Sequence, residues 1–400
     1  MKHNKSIKIK RSKNRLYKKK KSGAKVAAET VIFVLIAGAL VFVGYSAAGP
    51  LIELWSGGTE TQIEGWTPTP PPELSEEGSD TVTEGEATAE PVTTQEELSG
   101  ETGAYIMSES DISSPSALNN AIEKAKDSGY LQVLVPLKNK EGNILYKSNI
   151  SYIKDTDLIT GTMPAGQIAS LIKSNGLVPK ALISALMDNN SPSYVEGAGY
   201  RFADDSYFWL DAAAANGGKR WLDPFLDGTK KYLSDLSREL KSSGFEEVIL
   251  SQLRFPDFTT YDQTILDNRS FTDDRYKALS SVYIASYNAS EKKSSVSVDL
   301  KDVLSGYGQS FSGTAEILND KTFTGTVYLF TAPSEYENRL EVGENKFIGL
   351  SPNVYEKAET LIGKAMEYIG TNVSVSVVID DEGLSEEEIE ECYKRIGIGG

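Results

Sequence analysis

Over residues 103–400, short apolar runs alternate with longer amphipathic stretches. No other feature narrows the fold as far, because strands interleaved with helices satisfy their backbones and bury their faces as a parallel sheet with helical crossovers. "GAYIMS" reads as a strand and "SPSALNNAIEKAKDSG" as a helix, with Ser114 or Ser116 as its cap and Gly129 as its stop. "YLQVLVPL" is the next strand, and "KNKEGNILY" is an excursion that turns at Glu141 and Gly142. "PAGQIASLIKSNG" is a helix leading into the strand "LVPKALISAL". "DPFLDGTKKYLSDLSRELKSSG" is a long helix with Tyr232, Leu233, Leu236 and Leu240 as its apolar residues; Gly244 ends it just before the strand "FEEVILSQLRF". "SSVSVDL", "GTVYLF", "KFIGLS" and "VSVSVVI" supply further strands, and "NVYEKAETLIGKAMEYIG" and "SEEEIEECYKRIG" further helices. Eight strand-like runs in one stretch predict an α/β fold, a (β/α)8 barrel rather than a doubly wound sheet; about 250 residues suffice for one.

The chain before residue 103 is of a different kind. Residues 1–25 hold 12 of the 41 Lys and Arg and no acid, so the remainder sets 29 basic residues against 57 acidic ones. Residues 31–52 carry no charge, and about 20 such residues cross a bilayer as a helix. Trp55 stands where an interfacial aromatic is favoured, and the basic cluster ahead of the apolar run should stay cytoplasmic, leaving the body outside. Cleavage after "YSAAG" is the alternative, but a secretory apolar region is shorter, about 7–15 residues. Residues 55–102, rich in Thr, Pro, Glu, Gly and Ser, read as a disordered acidic linker. The expected organisation is therefore a basic cytoplasmic tail (1–30), a transmembrane helix (31–54), a linker (55–102) and a barrel (103–400), in a single-pass protein of a bacterial cell membrane.

Several chemistries are closed to the body. Its acidity argues against nucleic acid as a partner. The only histidine is His3 in the basic tail, and the only cysteine is Cys392. Ser-His-Asp triads, Cys-His dyads, His-ligated zinc and an intramolecular disulfide are excluded, and no motif calls for a metal or another cofactor. Proton transfer must run on Asp, Glu, Lys, Arg or Tyr.

Three segments carry a resemblance. "RWLDPFLDGTKKYLSDLSRELKSSGFEEVILSQLRFPD" contains Trp221, Asp223, Pro224 and Phe225, then Gly244, Phe245, Glu246, Glu247, Arg254, Phe255 and Pro256. "VPLKNKEGNILYKS" contributes Lys138, Gly142, Tyr146 and Ser148, and "SVSVDL" contributes Asp299. At these positions the chain resembles a glycoside hydrolase family formerly known only as a domain of unknown function. The resemblance implies a (β/α)8 barrel that acts on polysaccharide, or descends from one that did. Two departures stand out. The family's strand-four aspartate falls on Ser251 and its neighbouring tyrosine on Gln252, and an aspartate before the family's lysine falls on Pro136.

Active sites of such barrels lie at the C-terminal ends of the strands. Glycoside hydrolysis uses two carboxyl groups flanking the scissile bond. The candidate acids are Asp299, Asp257 and Asp380, with Asp381 beside the last. Asp299 equally caps the turn that follows it, and Asp380 and Asp381 equally form a polar turn before a Ser385–Glu388 capping box. Arg254, Trp221 and Lys138 are the candidate substrate-binding residues. Arg254 would orient a carboxylate or sugar hydroxyls, or else bind Asp223 or Asp257; Trp221 would stack on a sugar or serve the core; Lys138 would meet a ligand, a rim acid or solvent. The expected partner is polysaccharide or cell-wall glycan, with protein partners left open. Three functions remain in play: a weakened or inactive hydrolase, a glycan- or protein-binding module, and a structural assembly factor.

Overall fold

Strands form where apolar residues run without interruption. The computed structural model describes residues 103–205, 207–305, 323, 325–343, 345–369 and 373–397. The predicted tail, transmembrane helix and linker lie outside these residues. Among the described residues no helix is long and apolar enough to cross a membrane.

Seven strands make one parallel sheet: β1 (Tyr105–Ile106), β2 (Gln132–Lys138), β3 (Val178–Ser184), β4 (Glu247–Ser251), β5 (Ser294–Asp299), β6 (Thr326–Thr331) and β9 (Ser374–Ile379). The sheet curls on itself. Ala104, Leu134, Ile249, Tyr328 and Val378, from the two ends and the middle of the strand order, form a single buried interior cluster. This is a nearly closed parallel barrel, filled by side chains in the manner of (β/α) barrels.

The sequence reading needs correction at two places. The strand-like run "KFIGLS" is not a barrel stave: Asn345–Ile348 (β8) pairs antiparallel with Arg339–Val342 (β7) in a separate hairpin. Its residues alternate between half-buried and exposed, so it lacks the two-sided burial of a parallel strand. The barrel thus has seven staves among the described residues, not eight. β4 stops at Ser251, so Arg254 sits on the loop beyond the strand rather than at its end.

The crossover helices follow their caps. α1 (Pro115–Asp127) starts with the Ser114 side chain accepting the Ala117 N–H at 3.2 Å and with proline in its first turn, where a missing N–H costs nothing. Between β1 and β4 come α2 (Ala165–Ser174) and α3 (Asp227–Ser242), the latter burying Tyr232, Leu233, Leu236 and Leu240. After β4 come the short α4 (Asp262–Ile265) and then α5 (Tyr276–Ala289), which the sequence reading did not include and which packs on α3. α6 (Leu300–Leu304), α7 (Val354–Ile369) and α8 (Glu386–Arg395) complete the set; α8 opens with the expected Ser385–Glu388 capping box.

β1 and β9 are the two ends of the ladder, and a side chain closes the seam. The β9 amide of Ile379, which has no neighbouring strand on that side, donates to the Tyr393 hydroxyl of α8 at 3.0 Å. The same ring lies against Gly103, where an added Cβ would come within 2.3 Å of the hydroxyl. Among the described residues no strand lies on that side, and the edge amide is satisfied by this hydroxyl.

Candidate active site

All seven strands point the same way, so their C-terminal ends meet at one rim. A groove of about 570 Å³ opens there. Its apolar part is made by Ile106, Pro136 and Leu182, and its polar part includes Lys138, Ser184, Ser251, Glu109, Lys140, Glu141 and Asp380. That volume falls within the range of about 300–1,000 Å³ usual for small-molecule sites.

On the β2–β4 side the polar groups are tied to one another. Lys138 is fully buried, with its ammonium 2.8 Å from Asp188 Oδ2, and it donates to the Ser184 carbonyl oxygen. Burial pushes the lysine pKa down and the Asp188 charge works against that. Asp188 also accepts the Asn190 and Ser191 N–H groups at 3.1 and 2.8 Å. Gly142 is required where the excursion turns: its φ is +89°, and a Cβ would come within 1.9 Å of Asp188 Oδ1. Tyr146 and Ser148 both donate to Glu239 Oε2 of α3, at 2.8 and 2.6 Å. The motif residues Lys138, Gly142, Tyr146 and Ser148 therefore build the wall of the barrel. Asp188 escaped the sequence reading, although an acid just after the strand-like run "LVPKALISAL" was the available signal.

Pro136 and Ser251, where the resemblance leads one to expect aspartates, both line the groove. Pro136 sits where the pairing of β2 with β3 shifts register, which accommodates a residue that has no N–H to donate. Ser251 donates to the Ile183 carbonyl at 3.2 Å. The next residue, Gln252, has φ +51°, a left-handed conformation that is uncommon outside glycine and concentrates at functional sites. That turn aims Arg254 back over the rim. Its guanidinium lies 5.3 Å from the Trp221 ring centroid and 3.6 Å from Asp257 Oδ1, with a 3.4 Å bond from Nε to Gln252 Oε1. Trp221 itself is only 3% exposed, and its indole N–H donates to Asp211 at 2.9 Å. Asp257 is largely exposed. Arg254 thus meets Asp257 and the Trp221 face, while Asp223 is engaged elsewhere: buried, it accepts the Phe225 N–H at 2.9 Å, and burial raises its pKa to about 6.

On the β5–β9 side the carboxylates are open. Asp299 occupies the N-cap position of α6, yet its side chain makes no capping bond. It lines a second, small cleft of about 20 Å³ with Gln252, Arg254, Ser297 and Asp302, large enough for one water molecule. Asp380 faces the main groove. Partial desolvation, then the charges of Glu382, Asp299 and Asp381, raise its pKa, and Lys140 pulls the other way. Asp381 is a turn residue: it is buried and accepts the N–H groups of Ser334 and Gly383 at 2.6 and 2.9 Å. β5 and β9 flank β6, so two strand spacings and the stagger along the strands put the backbones of Asp299 and Asp380 about 10–12 Å apart. Asp257 lies with Arg254 and is not among the residues that line the small cleft with Asp299.

The aromatic-rich stretch 200–211 packs beside the rim. Tyr200 and Trp209 are buried and make ring contacts with Phe258, and the Trp209 indole N–H donates to Asp262 at 2.7 Å. Tyr207 is the exposed exception. Among the described residues no group of three or more His, Cys, Asp or Glu side chains is arranged to hold a metal ion.

No curated protein matches the sequence. Among solved structures, a hypothetical protein from Ruminiclostridium thermocellum aligns at 17% identity over 48% of this chain and 96% of its own, with a TM-score of 0.41. A chitobiase from Flavobacterium johnsoniae aligns at 11% identity over 70% of this chain and 38% of its own, with a TM-score of 0.40. A family 20 β-N-acetylglucosaminidase aligns at 11% identity over 75% and 68%, with a TM-score of 0.42. Superpositions at that level leave the assignment to the sequence profile, which matches residues 103–315, more than half of the chain. With its barrel and its motif residues at the rim, this chain belongs to the family of the putative glycosyl hydrolase domain.

Proposed function

We propose that this protein is a membrane-anchored, extracytoplasmic barrel of the cell envelope that binds polysaccharide through its mouth groove and has weakened or lost hydrolase chemistry. The observation that carries the reading is the pair Ser251 and Pro136: both line the groove, and neither can exchange a proton where the family carries aspartates. The groove is open, which suits a binding site better than a plugged structural barrel. Lys138 and Arg254 already have acidic neighbours of their own, so they shape the rim more than they reach out from it. The anchor rests on the uncharged run 31–52 behind its basic cluster.

A second reading has one observation in its favour. Asp380 holds its proton more tightly than an ordinary carboxylate, as a general acid should, and Asp299 is one of the charges that make it do so. Release of reducing ends from wall polysaccharide by the purified protein separates the two. Background release is expected from the natural chain and from Ser251→Asp alone, since Pro136 replaces a second acid. Turnover that Asp299→Asn abolishes would establish Asp299 and Asp380 as a working pair and defeat the inactive reading. For the anchor, protease added to intact protoplasts should remove the barrel and spare the basic tail; a soluble product starting near Ala48 would defeat it.

A further inference from the structure

The ionisable groups around the groove are unbalanced in sign. Glu109, Glu141 and Asp380 line it, and Asp299 and Glu382 are close enough to act on Asp380. Two lysines oppose them. Lys138 is spent internally, because its ammonium is buried against Asp188. Lys140 is left to face Glu109 and Asp380, the two lining carboxylates without a lysine partner of their own. Glu141 pairs with Lys219, whereas Glu109 accepts from the neutral Asn139 amide. Ile106, Pro136 and Leu182 supply a low-polarity wall beneath them. A cleft lined by one sign of charge over such a wall concentrates the field and draws in the opposite charge.

We propose that the mouth groove selects a cationic glycan, a chain of hexosamine units whose amino groups are free rather than acylated. The inference rests on the reading that the groove takes polysaccharide, and it adds the charge of the sugar. A neutral glycan would leave the groove carboxylates in mutual repulsion, and an anionic one would add to it. A protonated amine relieves that repulsion, which adds to partial burial in raising the Asp380 pKa. Acylation of the amine removes the charge and adds bulk, so it should cost affinity twice over.

The test uses the full-length chain in nonionic detergent and titration calorimetry at about pH 6, where free amines are protonated. Three probes are compared: a β-1,4-linked glucosamine hexamer, its fully N-acetylated counterpart, and hexalysine. The glucosamine hexamer should bind about tenfold or more tightly than either of the others, and its affinity should fall steeply between about 0.02 and 0.2 M salt. Asp380→Asn alone should weaken it, and Glu109→Gln/Glu141→Gln/Asp380→Asn should weaken it by about tenfold or more. Neutralising three exposed acids on the outer helices, Glu123→Gln/Glu359→Gln/Glu387→Gln, controls for the acidity of the whole body and should change it by less than about twofold. Equal binding of the acetylated hexamer, or equal harm from the remote triple variant, overturns the charge preference and leaves glycan binding standing. Equal binding of hexalysine overturns recognition of a sugar in favour of a basic peptide. Binding of neither saccharide overturns both this inference and the glycan reading beneath it.

Discussion

The two sides of the barrel mouth use charge in opposite ways. Around β2 to β4, Lys138, Asp188 and the Ser184 carbonyl neutralise one another beneath the surface, and the groove receives Ser251 and Pro136. Around β5 to β9, Asp299 lacks a capping bond, and partial burial, reinforced by neighbouring like charges, keeps the Asp380 pKa raised. One side is a rigid wall of mutually paired groups, and the other carries Asp299, which makes no capping bond, and Asp380, which faces the groove. A side chain that holds the fold is costly to remove. A side chain kept for a ligand is cheap to remove and is missed only when the ligand arrives.

That contrast can be broken by measurement. The largest effect belongs to Lys138→Met, which leaves Asp188 buried without its counter-charge; about 3–5 kcal/mol of unfolding free energy should be lost in urea titrations. Adding Asp188→Asn should return part of it, since an amide oxygen still accepts from Asn190 and Ser191. If Lys138→Met is silent, the ammonium is not a wall element and the contrast fails.

Next is Asp223, on the loop that leads into α3. Its folded pKa of about 6 lies above the ordinary value of 3.8, so the native state holds the proton more tightly than the unfolded chain does. Its stabilising contribution is full below about pH 4 and disappears as pH rises through about 6, amounting to about 2–3 kcal/mol. The gap in stability between Asp223→Asn and the natural protein should therefore widen in favour of the variant across that window. A constant gap would show that burial is not what holds the proton.

At the seam, Tyr393→Phe should cost about 1–2 kcal/mol by orphaning the Ile379 amide, and that amide should exchange its hydrogen faster. Retained protection would place another partner there. The smallest effect closes the comparison: Asp299→Asn should leave stability within about 0.5 kcal/mol, because no capping bond is lost. A fall of several kcal/mol would make Asp299 a wall residue like Asp188.

Much of this was legible from residue order alone. The apolar runs and the period-3.6 patterns located all seven barrel strands and the helices on either side of β9, and the Ser385–Glu388 box located the start of α8. The missed helix α5 carries a weak amphipathic signal: alanine, serine and tyrosine fill its buried face as much as large aliphatic residues do. "KFIGLS" misled for the reverse reason, since a short apolar run does not reveal whether its neighbour will be a barrel stave or a hairpin partner. Among the candidate residues, Arg254 was correctly suspected of an acidic partner, and of the two acids offered only Asp257 lies at salt-bridge distance.

The amino-acid sequence by itself determined the alternation of strands and helices and the shortage of histidine and cysteine chemistry. These are properties of residue type and spacing, which no folding event changes. The tertiary structure alone decided that Lys138 is silenced by Asp188, that Trp221 lies under Arg254, and that Asp299 and Asp380 feel one another across β6. Each of those facts depends on through-space distance between residues far apart in the chain, and electrostatics and burial are set by that distance rather than by sequence separation.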